Sequence, residues 1–220
     1  MHLRVKICGI TTVEAARAAS SSGADAVGFI FAFPDSSRCV GVDAARDIAR
    51  HLHPFVTRVA VFRHPDVAAV SEVVATFCPD VVQAEPSSEL VAAVAGRAEF
   101  LPVLHDGDDV TDRAVDFAAD GAAKPAILLE AAGVGGRGVA PDWHRAAEVA
   151  KSCNLILAGG LTPDNVAAAI RAVRPAGVDI SSGVESAPGI KDPDMIAEFI
   201  AAVRTVERTL DLDPTLETTK

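Results

Sequence analysis

The chain of 220 residues and 22.7 kDa is half hydrophobic, with 23% charged residues and a mean hydropathy of +0.28; this excludes collagen-like and low-complexity disordered polymers and makes one well-cored domain the default. Twenty Lys and Arg against 30 Asp and Glu leave a formal charge of −10, the wrong sign for a general nucleic-acid binder, so any phosphate must meet a local site. No apolar run reaches the roughly 18 residues of a membrane span, and the N-terminus lacks a charged flank followed by an uninterrupted apolar stretch.

Along the chain, short β-branched or apolar runs alternate with Ala-rich amphipathic stretches. A strand is expected at Leu3 to Cys8 and a helix at Thr12 to Ser21, followed by strand Asp25 to Phe31 and helix Asp43 to His51. Strand Thr57 to Phe62 precedes helix Asp66 to Phe77, and strand Asp80 to Gln83 precedes helix Ser88 to Ala95. The second half repeats the beat with strand Glu99 to Leu104, helix Thr111 to Ala119, strand Ala126 to Glu130 and helix Asp142 to Lys151. Strand Asn154 to Ala158, helix Pro163 to Val173, strand Gly177 to Ser181 and helix Pro193 to Arg208 complete it.

The strands are apolar along most of their length, which suits parallel strands covered by helices on one side and a filled interior on the other. A doubly wound sheet competes, but it often carries a G-x-G-x-x-G turn after its first strand, and none is present. Repeats of about 27 residues suit a closed (β/α)8 TIM barrel over 1–210, followed by a polar tail at 211–220 that frays.

Cys8, Cys39, Cys78 and Cys153 are scattered, without a C-x-x-C pair or zinc spacing, and read as reduced thiols in a cytoplasm. Cys39, Cys78 and Cys153 read as packing residues. The six His residues suggest no triad or metal site, and Trp143 and His144 read as local packing at a helix start.

In such barrels the chemistry sits at the C-terminal ends of the strands. Strands seven and eight end in Ala158-Gly159-Gly160-Leu161-Thr162-Pro163 and Asp179-Ile180-Ser181-Ser182-Gly183-Val184-Glu185. Gly159, Gly160 and Gly183 let backbone N–H groups approach an oxyanion, and Ser181 and Ser182 add donors, so the two turns form a candidate cradle for a phosphate monoester. Thr162 before Pro163 also reads as an ordinary N-cap. Cys8 ends strand one, with Lys6 before it and Gly9 after it; a lone Cys is usually a small buried hydrophobe, but here a cation or backbone dipole that lowers its pKa would make it a base or nucleophile. Glu130 closes an apolar strand, where burial would raise its pKa and keep a protonated fraction for a general acid. The two would face each other across the mouth. Arg38 could fork onto a substrate carboxylate or simply pair with Asp35.

The motifs Val5-Lys6-Ile7-Cys8-Gly9-Ile10-Thr11, Gly23-Ala24-Asp25-Ala26-Val27-Gly28-Phe29-Ile30-Phe31, Leu157-Ala158-Gly159-Gly160-Leu161 and Val178-Asp179-Ile180-Ser181-Ser182-Gly183-Val184-Glu185 resemble phosphoribosylanthranilate isomerase, from about Leu3 to Ile200. The resemblance implies a (β/α)8 barrel that converts N-(5′-phosphoribosyl)anthranilate into 1-(2-carboxyphenylamino)-1-deoxyribulose 5-phosphate in tryptophan biosynthesis, an Amadori rearrangement. It places the general base at Cys8, the general acid at Glu130 and the anthranilate-carboxylate contact at Arg38, with phosphate held by the loops after strands six to eight. Lys6, Gln83, Arg137, Gly138 and Asp179 are the further expected substrate contacts. No metal or organic cofactor is implied, and monomer and homodimer stay open.

Three departures touch the site. Glu130 stands where the family usually has Asp, Gln83-Ala84-Glu85-Pro86 replaces Gln-Leu-His-Gly, and Gly135-Gly136-Arg137-Gly138 replaces Gly-Gly-Thr-Gly. Glu85 adds a negative charge that an anionic substrate tolerates only if it is paired. These departures leave two alternatives beside the isomerase: a paralogous barrel enzyme for another phosphorylated aminosugar, and a catalytically silent phosphate-ligand-binding barrel.

Overall fold

The computed structural model describes residues 2–119, 124–132 and 139–211. Its strands are β1 (Arg4–Cys8), β2 (Ala26–Ile30), β3 (Thr57–Val61), β4 (Val81–Ala84), β5 (Glu99–His105), β6 (Ala126–Glu130), β7 (Asn154–Leu157) and β8 (Gly177–Ile180). They pair in parallel in chain order, and β8 closes on β1 with Lys6 opposite Asp179. The helices between them are α1 (Val13–Ser22), α2 (Val42–Ala49), α3 (Val67–Phe77), α4 (Ser88–Val94), α5 (Val110–Ala119), α6 (Trp143–Ser152) and α7 (Val166–Val173), with α8 (Pro193–Asp211) last. The closed barrel, rather than the open doubly wound sheet, is therefore the fold.

Helix starts follow from side chains that accept otherwise unpaired N–H groups. Thr12 accepts from Ala15, Ser87 from Leu90, and Asp142 from both His144 and Arg145. Gly23 ends α1 at φ 94°, a left-handed cap that glycine adopts without steric cost. One expected start is wrong. Thr162 does not cap a helix at Pro163; Thr162 and Asn165 bond each other's backbone N–H through a turn, and α7 starts only at Val166.

A two-residue alternation divides each strand between two cores. Val5, Ile7, Phe29, Val82, Leu104, Ile127, Leu129, Val178 and Ile180 face outward into the main cluster with the helices. Val103, Leu128 and Ala158 pack together inside the barrel. The positions of opposite parity on the other strands carry Lys6, Gln83 and Asp179, each at most 5% exposed. The barrel is thus plugged by apolar side chains from β5 to β7 and by polar ones from β1, β4 and β8. β5 runs one residue beyond expectation and so ends on His105. An unanticipated ribbon of β9 (Glu185–Ala187) and β10 (Ile190–Lys191) follows β8. α8 extends to Asp211, past the expected Arg208; the rest of the tail lies outside the described residues. None of the described helices is long and apolar enough to cross a membrane.

Candidate active site

The C-terminal mouth opens into a cavity of about 1190 Å³, counting the space at its opening. Beneath it Lys6 Nζ donates to Asp179 Oδ1 at 2.9 Å, both side chains only 6% exposed. Burial opposes the Lys6 charge, but Asp179 and the nearby Cys8 outweigh it and hold the ammonium protonated. A buried pair of this kind costs several kcal/mol if one partner is removed, because the other is left as an uncompensated charge.

Cys8, on the same face of β1 as Lys6, lines the cavity and is 6% exposed. The gap for its sulfur is made by Gly28 on β2: a Cβ there would lie 2.9 Å from Cys8 Sγ and 3.2 Å from Lys6 Nζ. The condition that a cation lower this thiol is not met in its surroundings. Burial dominates and, with Asp179, pushes the thiol up; Lys6 and Lys191 oppose it without reversing it.

Glu130 ends β6, three strands round from β1 through β7 and β8, and lines the same cavity. Burial and then Asp179 push its carboxyl up, against His105, Lys6 and Arg63, which is the direction a general acid needs near neutrality. Its backbone carbonyl accepts from the N–H of Asp106, the residue after β5, at 2.8 Å. Glu85 is paired: His105 Nε2 lies 3.0 Å from its Oε1 and His64 Nδ1 3.7 Å from its Oε2. Gln83 turns its amide into the barrel interior, where Oε1 is buried without a partner among the described residues.

The two glycine turns are in contact. Gly159 and Gly160 both have positive φ, 89° and 61°, and a Cβ on Gly183 would overlap the Leu161 carbonyl oxygen. Only glycine at 183 lets the β8 turn lie against the β7 turn, and Ser181, Ser182 and Gly183 all line the cavity beside Gly159 and Gly160. The Ser181 hydroxyl, expected as a free anion donor, instead donates to the Cys8 carbonyl at 3.1 Å. Arg137 and Gly138 lie outside the described residues.

Arg38 lines the cavity, but its ion partner is Glu185 and not Asp35: Nε and Nη2 each donate to that carboxylate at 2.7 Å. Reading strand ends had missed Arg63 after β3, His105 on β5, and the buried Glu185 and Lys191. Arg63 sits over the Phe33 ring at 5.5 Å and, like His105, lines the cavity. Strand parity was the available signal, since Arg63 and His105 continue the inward series of Val59 and Val61 and of Val103. Of the other thiols, Cys153 is buried and pushed up to about 11 by burial. Cys78 is exposed at the left-handed end of α3 and is not a packing residue. Trp143 does pack against the main core. Among the described residues no His, Cys, Asp and Glu group could hold a metal.

Two ionisable side chains, Cys8 and Glu130, thus line one cavity where (β/α)8-barrel enzymes keep their chemistry, and fold and mouth together define an enzyme of that class. Comparison narrows this further: residues 5–202 match the profile of N-(5′-phosphoribosyl)anthranilate isomerase, and the chain belongs to that family. It is 41% identical over 210 residues to the N-(5′-phosphoribosyl)anthranilate isomerase of Pseudomonas aeruginosa (strain UCBPP-PA14), covering 94% of this chain and 97% of that one. The crystal structure of phosphoribosyl anthranilate isomerase from Thermotoga maritima superposes with a TM-score of 0.82 at 37% identity, over 93% of this chain and all of that one. A crystal structure of such an isomerase in complex with reduced 1-(o-carboxyphenylamino)-1-deoxyribulose 5-phosphate is similar at 36% identity and TM-score 0.79, with the same coverage.

Proposed function

We propose that this chain isomerises N-(5′-phosphoribosyl)anthranilate to 1-(2-carboxyphenylamino)-1-deoxyribulose 5-phosphate, the Amadori step of tryptophan biosynthesis, with Glu130 as acid and Cys8 as base. The observation that carries the assignment of roles is that these two groups enter one cavity from separated strands, beside the paired glycine turns. Protonated Glu130 gives its proton to the furanose ring oxygen as the C1′–O bond breaks, and the anilino nitrogen lone pair forms the C1′=N bond. The Cys8 thiolate then takes the C2′ proton; that electron pair forms C1′=C2′, and the C=N pair returns to nitrogen. The enolamine becomes the ketone when C1′ gains a proton and the 2′-hydroxyl loses one, so no net proton is consumed.

The raised Cys8 thiol leaves little thiolate at neutral pH, but what forms is a stronger base, and Lys6 and Lys191 supply fixed positive charge where it forms. Gly159, Gly160, Ser182 and Gly183 hold the phosphate through backbone N–H groups, with the Ser182 hydroxyl as a further donor, while Ser181 supports Cys8. Arg38 reaches the anthranilate carboxylate with Nη1, its other two nitrogens being held by Glu185. Lys6 and Asp179 form the floor, and the Gln83 amide faces the substrate from β4. The Glu85 carboxylate is occupied by His105 at 3.0 Å, with His64 3.7 Å from its other oxygen, which supports its compatibility with an anionic substrate. The four free thiols support a cytoplasmic setting.

Purified protein with freshly generated substrate, followed by loss of its fluorescence, tests the proposal. Turnover in the wild type that vanishes in Cys8→Ala supports it; equal rates in wild type, variant and blank overturn it.

A further inference from the structure

We propose that Glu185 is a positioning residue that builds both anion-binding ends of the cavity, holding Arg38 for the aryl carboxylate and, through Lys191, the Ser181–Gly183 turn for the phosphate. What the two ends bind rests on the function proposed above; that one carboxylate organises both is read from the structure.

Glu185 opens β9 and its side chain is 4% exposed. Oε1 accepts from Arg38 Nε and from Lys191 Nζ, both at 2.7 Å, while Oε2 accepts from Arg38 Nη2 at 2.7 Å and from the Gly189 N–H at 3.2 Å. Burial pushes this carboxyl up, but the hydrogen bonds and charges of Arg38 and Lys191 win and keep it an anion. The Lys191 side chain is wholly buried. Besides Glu185 its ammonium donates to the Ser181 carbonyl at 2.9 Å and the Ser181 hydroxyl at 3.2 Å, which uses all three of its protons. The Ser181 hydroxyl in turn donates to the Cys8 carbonyl. A single carboxylate therefore links the arginine after β2, the turn after β8 and, through Ser181, the backbone of the base on β1.

The ribbon keeps this hub in place. Gly189, at φ 82°, lies so close to the loop after β2 that a Cβ would come 2.5 Å from the Ser37 carbonyl oxygen, and Thr11 donates to its carbonyl at 3.1 Å. Arg38 is steered from the other side, since a Cβ on Gly9 would lie 2.8 Å from its Cδ. A bidentate grip fixes the plane of a guanidinium, so the direction of Nη1 is set by Glu185. The triad carries a net charge of one positive unit, which favours anions at both ends without the cost of two unpaired buried cations.

The test measures kcat, KM for N-(5′-phosphoribosyl)anthranilate and the inhibition constant of inorganic phosphate in wild type, Arg38→Ala, Glu185→Gln and the double variant. Loss of one charge-assisted grip should raise KM by about tenfold. That rise should exceed the fall in kcat in Glu185→Gln, and phosphate inhibition should weaken. In the Arg38→Ala background the same change should raise KM by less than it does in the wild type, because only its effect at the phosphate end is left, and phosphate inhibition should weaken as before. If Arg38→Ala leaves KM unchanged, the carboxylate reading of Arg38 fails. If Arg38→Ala raises KM but the effect of Glu185→Gln is absent or simply adds to it, the positioning proposal fails. Should the lone charge on Lys191 prevent folding of Glu185→Gln, the charge-balanced Glu185→Gln/Lys191→Met variant takes its place; wild-type KM and phosphate inhibition there overturn the proposal.

Discussion

An alanine at position 28 would put a methyl carbon 2.9 Å from Cys8 Sγ and 3.2 Å from the end of Lys6. Ordinary non-bonded contact begins at about 3.5 Å, so the sulfur must retreat by roughly 0.5 to 1 Å. Because the thiol turns about one side-chain bond, the fold gives way cheaply, near the low end of the about 1–3 kcal/mol typical of overpacking. For a chain of this size each kcal/mol lowers Tm by about 2–4 °C. Chemistry is less forgiving, since a displacement near 1 Å costs about 100-fold in rate, or about 2.7 kcal/mol of barrier. Gly28→Ala should therefore melt within several degrees of wild type, bind substrate with nearly unchanged KM and lose most of its kcat. Steady-state kinetics beside a thermal melt measure this. A folded Gly28→Ala enzyme with wild-type kcat would refute the reasoning, showing that the thiol is not held by this contact or is not the base.

The raised Glu130 carboxyl predicts the pH profile. Activity should fall on the alkaline side as the active combination of protonated acid and thiolate is lost; in Glu130→Gln that fall should disappear, the low residual rate rising with pH until the thiol is fully ionised, as a kcat/KM profile would show. The same shift acts on stability. A carboxyl raised in the folded state favours folding below its unfolded pKa, and that advantage is lost as pH rises through the folded value, so wild type should lose Tm relative to Glu130→Gln over that interval. Asp179→Asn leaves the Lys6 charge buried and unpaired and should cost about 3–5 kcal/mol in denaturant unfolding; Lys6→Met combined with Asp179→Leu should recover much of it, and equal losses in both variants would contradict the ion-pair argument. Gly183→Ala forces the Leu161 carbonyl away and should weaken inhibition by inorganic phosphate by about tenfold or more with Cys8 reactivity unchanged, measured by thiol labelling.

Local chemistry made much of this protein legible from its sequence. The alternation of strand and helix follows from apolar runs punctuated by caps such as Thr12, Ser87 and Asp142, whose side chains act within three residues of themselves. Cys8, Glu130 and the two glycine turns could be found because a parallel barrel must expose its C-terminal strand ends, whatever packs elsewhere. Arg63 and His105 were equally available through strand parity, which separates the inward Val103 and His105 from the outward Leu104.

Other features depend on residues far apart in the chain, and only the tertiary structure decided them. Arg38 meets Glu185 across 147 positions, and Lys6 meets Asp179 across 173; no local pattern says which acid a given cation will choose. A neighbouring cation alone would lower the Cys8 thiol, yet it is raised, because its ionisation depends on total burial and on Asp179 as well as on Lys6. Thr162 followed by Pro163 carried a helix-start signal, but Asn165 captured its N–H and delayed α7 to Val166. The sequence by itself determined the order of the barrel's strands and helices and which strand ends bear reactive groups, since those depend on covalent neighbours and on the two-residue period of a strand. Closure of β8 onto β1 decided which charges are buried together, because pairing and desolvation belong to the assembled barrel and not to any segment of it.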